Sequence, residues 1–166
     1  DKYTLRSFVE RQGFGHLLPR IYGSFETALA IDFQNLPQRF VLKCTHGSKC
    51  NIFCPERADL DIPQAQRDLT RWLDTDYSKL LGELHYGGMK PRIICEEFLD
   101  DGTGALPRDY KLYCFGGHFH CTEVCSGRTP NGKANSDYMD RTWSLLPYDD
   151  ESLAAKRCIA RPACYE

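Results

Sequence analysis

Three short stretches hold the residues best able to do chemistry. The first is Phe40-Val41-Leu42-Lys43-Cys44-Thr45-His46-Gly47-Ser48-Lys49-Cys50-Asn51-Ile52-Phe53. A lysine at the end of an apolar strand, followed at once by a glycine-bearing loop, sets one fixed positive charge beside several backbone N–H groups. A triphosphate needs that combination, because amides satisfy its oxygens while an ammonium offsets its charge. The same residues admit a plainer reading, in which Lys43 snorkels from a strand end and Gly47 serves only the turn. The second stretch, Arg92-Ile93-Ile94-Cys95-Glu96-Glu97-Phe98-Leu99, is an apolar strand tipped with carboxylates. Strand residues alternate faces, so Glu96 and Glu97 point oppositely while the backbone at the strand end stays open to read an adenine ring; the alternative is a strand emerging into solvent with two ordinary acids. In the third, Asp109-Tyr110-Lys111-Leu112-Tyr113-Cys114-Phe115, alternation puts Asp109 and Lys111 on one face and Tyr110, Leu112 and Cys114 on the other. The polar pair then faces a cleft and the apolar set a core, or else the pair is a solvated ion pair worth little.

Two sets of cysteines and histidines raise the question of zinc: Cys44, His46, Cys50 and Cys54, and later His118, His120, Cys121 and Cys125. On a strand Cys121 and Cys125 would be separated by roughly 13 Å, at about 3.3 Å per residue, whereas zinc draws its sulfurs to ~2.3 Å. No C-x-x-C pair occurs, so no metal site is expected. Nor is there a G-x-S-x-G, an H-E-x-x-H or a Walker-type lysine loop. Ser48 and His46 lie too close along one loop to serve as nucleophile and base, and no catalytic residue is assigned.

The elements that must position these residues follow from periodicity and punctuation. Asp1 is placed to cap a helix carrying Leu5, Phe8 and Val9, ended by Gly13 and Gly15. Leu18 to Tyr22 reads as extended, and Phe25 to Ile31 as a short helix. The strand Arg39 to Cys44 is apolar on both faces and is predicted to be central, with Asn51 to Cys54 returning as a hairpin. Asp61 before Ile62-Pro63-Gln64 opens a helix whose buried stripe is Ala65, Leu69, Trp72 and Leu73. Gly87-Gly88-Met89-Lys90-Pro91 punctuates the chain. Beyond it, Asp109 to Phe115 and His118 to Cys125 are joined by Gly116-Gly117, and Ser126 to Ser136 reads as polar loop. The expected class is α+β in two lobes, 1–91 carrying the hairpin loop and 92–166 opening with the strand that connects them.

Composition narrows the classes. Apolar residues at 42% against 27% charged describe a folded, water-compatible domain. A net charge of -2 lacks the positive field of a nucleic-acid binder. No apolar run approaches a membrane span and the amino end carries no signal peptide, so the expected compartment is the cytosol. Nine cysteines, an odd number, with Cys44, Cys95, Cys114 and Cys121 inside apolar runs, read as buried thiols rather than a disulfide framework. The chain does not begin with Met and stops at Arg161-Pro162-Ala163-Cys164-Tyr165-Glu166, in what reads as the approach to a further helix, so a fragment is expected.

Taken in order, the motifs resemble the TupA-like ATP-grasp family, bacterial proteins associated with teichuronopeptide and other surface polysaccharides. The likeness runs nearly end to end: Asp1-Lys2-Tyr3 with Arg6, Leu36-Pro37 before Phe40 to Lys43, His46-Gly47-Ser48, Asn51-Ile52, Trp72, Glu83 with Tyr86, Lys90 to Ile93, Glu96-Glu97, Asp109 to Lys111 and Cys114-Phe115. The resemblance implies an ATP-grasp fold with two lobes around a nucleotide cleft, the second incomplete. It also implies a chemistry in which ATP activates a carboxylate for attack by an amine. On it Lys43 contacts the ATP phosphates, His46, Gly47, Ser48 and Lys49 form a flap over them, Glu96, Glu97, Phe98 and Leu99 form the adenine hinge, and Asp109 and Lys111 touch ribose or phosphate. Where the family loop carries a second glycine, this chain has Lys49. Magnesium would accompany ATP, held by ligands beyond the end of this chain, so the isolated piece is expected to be inactive. Two other functions are compatible with these residues: a non-catalytic nucleotide-binding module, and a glycosyltransferase-associated protein using a nucleotide sugar.

Overall fold

Phe40–Cys44 (β2) is apolar except at Lys43, and Ile93–Glu97 (β4) is apolar up to its two carboxylates, so both strands bury two faces and belong inside a sheet. The computed structural model, which describes residues 1–80, 82, 84–102, 106–127, 135–148 and 159–165, places them as antiparallel neighbours at the centre of a four-stranded sheet. Ile21–Phe25 (β1) flanks β4 and Asn51–Cys54 (β3) flanks β2, giving the order β1-β4-β2-β3. The fold is mixed α+β with antiparallel sheets, and it divides into two compact units, Asp1–Leu99 and Asp100–Glu166. The strand expected to open the second lobe is thus hydrogen-bonded into the sheet of the first unit.

One face of this sheet carries Phe40, Leu42, Cys44, Ile93 and Cys95, which form the core of the first unit with Leu69 of helix α2, Ile62–Leu73. Asp61 caps α2 by accepting from the Gln64 N–H at 2.8 Å, as the Asp-Ile-Pro-Gln order predicts. Ala65 and Leu69 are buried, with Trp72 and Leu73 packed against the same core. Helix α1, Thr4–Arg11, is held at its start by Asp1, whose Oδ1 accepts from the N–H groups of Tyr3 and Thr4. It ends at Gly13, whose φ of 83° is easy only for glycine. Its apolar residues do not fill a core, since Leu5 and Phe8 are exposed. The helix expected over 25–31 is a single 3₁₀ turn, Ala28–Ala30. A further short helix, α3, covers Tyr77–Leu80.

The second unit is a meander of Asp109–Phe115 (β5), His118–Ser126 (β6) and Asn135–Met139 (β7). Gly116 and Gly117, both at positive φ (56° and 81°), make the tight β5–β6 turn that their sequence predicts. Strand β7 begins inside the stretch read as loop; residues 128–134 of that stretch lie outside the described residues. The expectation of a core beneath Leu112 and Cys114 fails. β5 is an edge strand in which both are exposed, Leu112 at 64%, so Cys114 is not the buried thiol its apolar run suggested. Alternation fixes which face a residue is on but not whether anything covers that face. Cys44, Cys50, Cys54, Cys95, Cys121 and Cys125 are buried free thiols, and burial pushes Cys44 and Cys95 up to about 12.

Candidate functional site

Lys43 and Glu96 sit on the face of the first sheet opposite the α2 core, because β2 and β4 alternate in step: Val41 pairs with Glu96 and Lys43 with Ile94. The offset is one diagonal step, which two long side chains span. Lys43 Nζ donates to Glu96 Oε2 at 2.6 Å. Although 53 residues apart in sequence, they make one pair in which the carboxylate is nearly buried, at 8% exposure, and the lysine remains open at 29%. Arg6 of α1 approaches the other oxygen, with Nη1 3.6 Å from Glu96 Oε1. Lys2 donates from Nζ to the carbonyls of Cys44 and Gly47. Burial and the nearby charge of Lys43 are among the causes that hold the Lys2 ammonium below its ordinary pKa. Sequence reading singled out Lys43 and Glu96; Lys2 and Arg6 it used only for family likeness, because nothing in a one-dimensional pattern says that a helix start will lie beside a strand forty residues later.

The loop from Thr45 to Cys50 is packed rather than free-standing. The Cys44 N–H donates to Cys50 O at 3.0 Å and the Thr45 N–H to Arg92 O at 2.9 Å, which closes the loop at its base. His46 is buried, and its Nε2–H donates to Trp72 O at 3.0 Å at the end of α2. Burial holds the imidazole below its ordinary range, with hydrogen bonding to the Trp72 and Thr75 backbone pulling partway back. Gly47 lies against the ring of Tyr77, so close that a Cβ there would meet ring carbons at 2.6 Å. That contact is why the position must be glycine, and turn geometry alone does not give it. The Cys50 thiol donates to Tyr77 Oη at 2.7 Å, tying the far side of the loop to the same ring. Ser48 is half-buried and Lys49 exposed, at a φ of 61°. The departure from glycine noted in the sequence therefore falls on a residue held in the left-handed region, where a side chain costs roughly 1 kcal/mol.

At the other end of β4 the paired register stops at Glu97. Glu97 is exposed, and its Oε2 accepts from the Arg20 N–H at 3.2 Å, a brace across to the entry of β1. Phe98 lies under the Arg39 guanidinium, 4.7 Å from ring centre to Cζ, and Leu99 is exposed. Asp109 and Lys111 belong to the second unit. They share a face as expected, with Lys111 Nζ 3.5 Å from Asp109 Oδ2, and also 3.4 Å from Glu123 Oε1 of the facing strand β6. Lys111 donates to Cys125 Sγ at 2.8 Å. Burial pushes Glu123 up, but hydrogen bonds from Ser136, Cys125 and Tyr113 and the charge of Lys111 outweigh it and hold the carboxyl at about 2. Glu123 and Cys125 were not foreseen as partners, because the register that leaves the Gly116-Gly117 turn shifts by one residue between Tyr113 and Cys114, and only that irregularity places both opposite the Asp109–Lys111 pair.

A comparison with known protein families decides the relationship: the description TupA-like ATPgrasp matches residues 1–157. The chain belongs to the TupA-like ATP-grasp family. No curated protein and no solved structure matches it. ATP-grasp proteins generally bind ATP with magnesium. Among the described residues no group of three or more His, Cys, Asp or Glu side chains is placed to hold a metal ion. No helix among them is long and apolar enough to cross a membrane.

Proposed function

We propose that this chain is the nucleotide-binding portion of an ATP-dependent carboxylate–amine ligase-like protein acting in cell-surface polysaccharide assembly, of the teichuronopeptide type. The observation that carries the proposal is the Lys43–Glu96 pair: a partly exposed ammonium held in fixed direction by a buried carboxylate, at the mouth of a loop closed at its base. ATP bound there brings the phosphoryl group that activates a carboxylate. Lys43 offsets the charge of the phosphates, and because its partner orients it beforehand, little ordering remains to be done on binding. The backbone of Glu96, Glu97, Phe98 and Leu99 offers main-chain groups to adenine, since the strand ladder ends at Glu97. His46, Gly47 and Ser48 support the phosphate loop; with His46 and Gly47 packed inward, they shape its backbone rather than reach out to ligand. Asp109 and Lys111 are proposed contacts to ribose or phosphate.

Isothermal calorimetry with Mg-ATP tests the reading. Wild-type chain is expected to bind, and Lys43→Ala to weaken binding at least about tenfold, the worth of one charge-assisted hydrogen bond. Equal affinity of the two proteins would refute the assignment of Lys43. Nucleotide-sugar binding in place of ATP would favour a glycosyltransferase-associated role.

A further inference from the structure

Cys125 differs from the buried thiols of the first unit in what touches it. Cys44 and Cys95 lie in an apolar core, where burial pushes both up to about 12 and leaves them unreactive. Cys125 is also buried, but it meets an amine: Lys111 Nζ is 2.8 Å from its Sγ. That is closer than an ordinary N–H···S hydrogen bond brings the two atoms, and close to the separation that a single oxygen bonded to both imposes. The register produces the contact, since Asp109 faces Cys125 and Lys111 faces Glu123, so that nitrogen and sulfur meet across the diagonal. Both partners are clamped there. Glu123 Oε1 accepts from the thiol at 3.2 Å and lies 3.4 Å from Nζ, Ser136 Oγ is 3.8 Å from the sulfur, and Asp109 Oδ2 is 3.5 Å from Nζ. The Lys111 side chain is 48% exposed on an edge strand, so a small oxidant reaches the pair from solvent.

We infer that Lys111 and Cys125 are an oxidation site, which dioxygen converts into a covalent bridge of nitrogen, oxygen and sulfur. An N–O and an O–S bond form as N–H and S–H bonds break. One oxygen atom of dioxygen stays in the bridge, the other leaves as water, and the surplus proton of the ammonium goes to solvent. Nitrogen and sulfur each give up an electron pair, and the two pairs reduce dioxygen completely. Holding the two atoms in contact beforehand favours the bridge over stepwise oxidation of the thiol to sulfinic acid. Reduction by a dithiol restores amine and thiol, which makes the site reversible. The bridge also removes the charge of Lys111 from the Asp109–Lys111 pair. Since Lys111 is a proposed contact to ribose or phosphate, oxidation weakens nucleotide binding; that consequence, unlike the bridge, rests on the ATP reading.

Peptide mass spectrometry on the whole chain, purified in dithiothreitol and then divided between air and argon, tests the bridge. Lys111 is the one site of tryptic cleavage between Arg108 and Arg128. In air, cleavage after Lys111 is expected to stop, and the peptide 109–128 to gain about 14 Da, one oxygen in and two hydrogens out, which dithiothreitol reverses. Under argon the cut after Lys111 should remain. Lys111→Arg and Cys125→Ser should each abolish the gain, and Cys114→Ser, at an exposed thiol of the same sheet, should keep it. Should Cys125→Ser fail to fold, the wild-type digest and Lys111→Arg carry the test. A chain that trypsin still cuts after Lys111 following exposure to air, whether Cys125 is unchanged or has become sulfenic or sulfinic acid, would overturn the inference. Calorimetry with Mg-ATP on the bridged and reduced forms then reads the consequence, with about tenfold weaker binding expected of the bridged form. Equal affinity would overturn that consequence and remove Lys111 from the nucleotide contacts, with the bridge upheld. Binding by neither form would remove the ATP reading, and the bridge would still stand on the mass gain.

Discussion

Each unit of this protein places a lysine and a glutamate on adjacent antiparallel strands, and the two pairs are built to opposite ends. In the first, Glu96 is met by two cations and, among the described residues, by no neutral side-chain donor. In the second, Glu123 is met by the hydroxyls of Ser136 and Tyr113 and the thiol of Cys125, while its lysine sees two carboxylates and a sulfur. The second network is closed on itself around the buried Glu123 and Cys125, with Lys111, Asp109 and Tyr113 at its exposed rim. Among the described residues the first is left with two cations on one carboxylate. The same residue types on neighbouring strands, diagonal in the first unit and directly opposite in the second, therefore mean different things, and the difference lies in what surrounds them.

Removing the two carboxylates in turn is the hardest test of that contrast. Glu96→Ala leaves three cations together without a counter-charge and is expected to cost about 3 kcal/mol in urea unfolding, part of it recovered at high salt. Glu123→Ala removes hydrogen bonds but leaves Lys111 its partner Asp109, so a loss of about 1–2 kcal/mol with little salt sensitivity is expected. Equal losses with equal salt response would erase the distinction. Next in size is Gly47→Ala, which drives a methyl into the Tyr77 ring and should cost about 2 kcal/mol; a stability within error of wild type would mean that the loop is not seated as described.

Acid should also separate the units. His46 has a folded pKa below its ordinary 6.5, so its contribution is complete above that pH and is lost as pH falls below it. Glu123 is likewise depressed, from 4.5 to about 2, so its contribution persists to pH 4.5 and is lost only on the way to about 2. Hydrogen-exchange protection is expected to fall first around residues 40–46 between pH 6.5 and 4.5, with 121–125 following below 4.5. The reverse order would show that His46 is not held neutral by its burial. The smallest effect is Lys49→Gly, expected to raise stability by up to about 1 kcal/mol by relieving the left-handed residue, partly offset by the greater freedom of glycine when unfolded. A loss of stability would mean that the Lys49 side chain makes an attraction that outweighs the strain.

Several features were legible from the chain alone because their causes are local. The Asp61 cap, the buried stripe of α2, the glycine turn between β5 and β6 and the central hairpin of β2 and β3 each follow from residues within a few positions of one another. Lys43 and Glu96 could be singled out by their place at strand ends, and the ordered motifs gave the family. The exposure of Leu5, Phe8 and Cys114 was hidden because periodicity assigns a face without saying what covers it. Strand β7 was hidden because polar residues that pair in a sheet look like loop.

The amino-acid order thus determined the elements, the turns and the residue types able to meet a triphosphate, since helix caps, strand alternation and glycine geometry act over a handful of bonds. Only the tertiary structure decided that Glu96 would be the partner of Lys43, that Arg6 and Lys2 would join them, and that Tyr77 would fix Gly47. Those choices depend on which strands become neighbours, here β4 inserted between β1 and β2. Neighbours in a sheet are selected by the burial of whole faces, a sum over the entire unit that no local window of sequence contains.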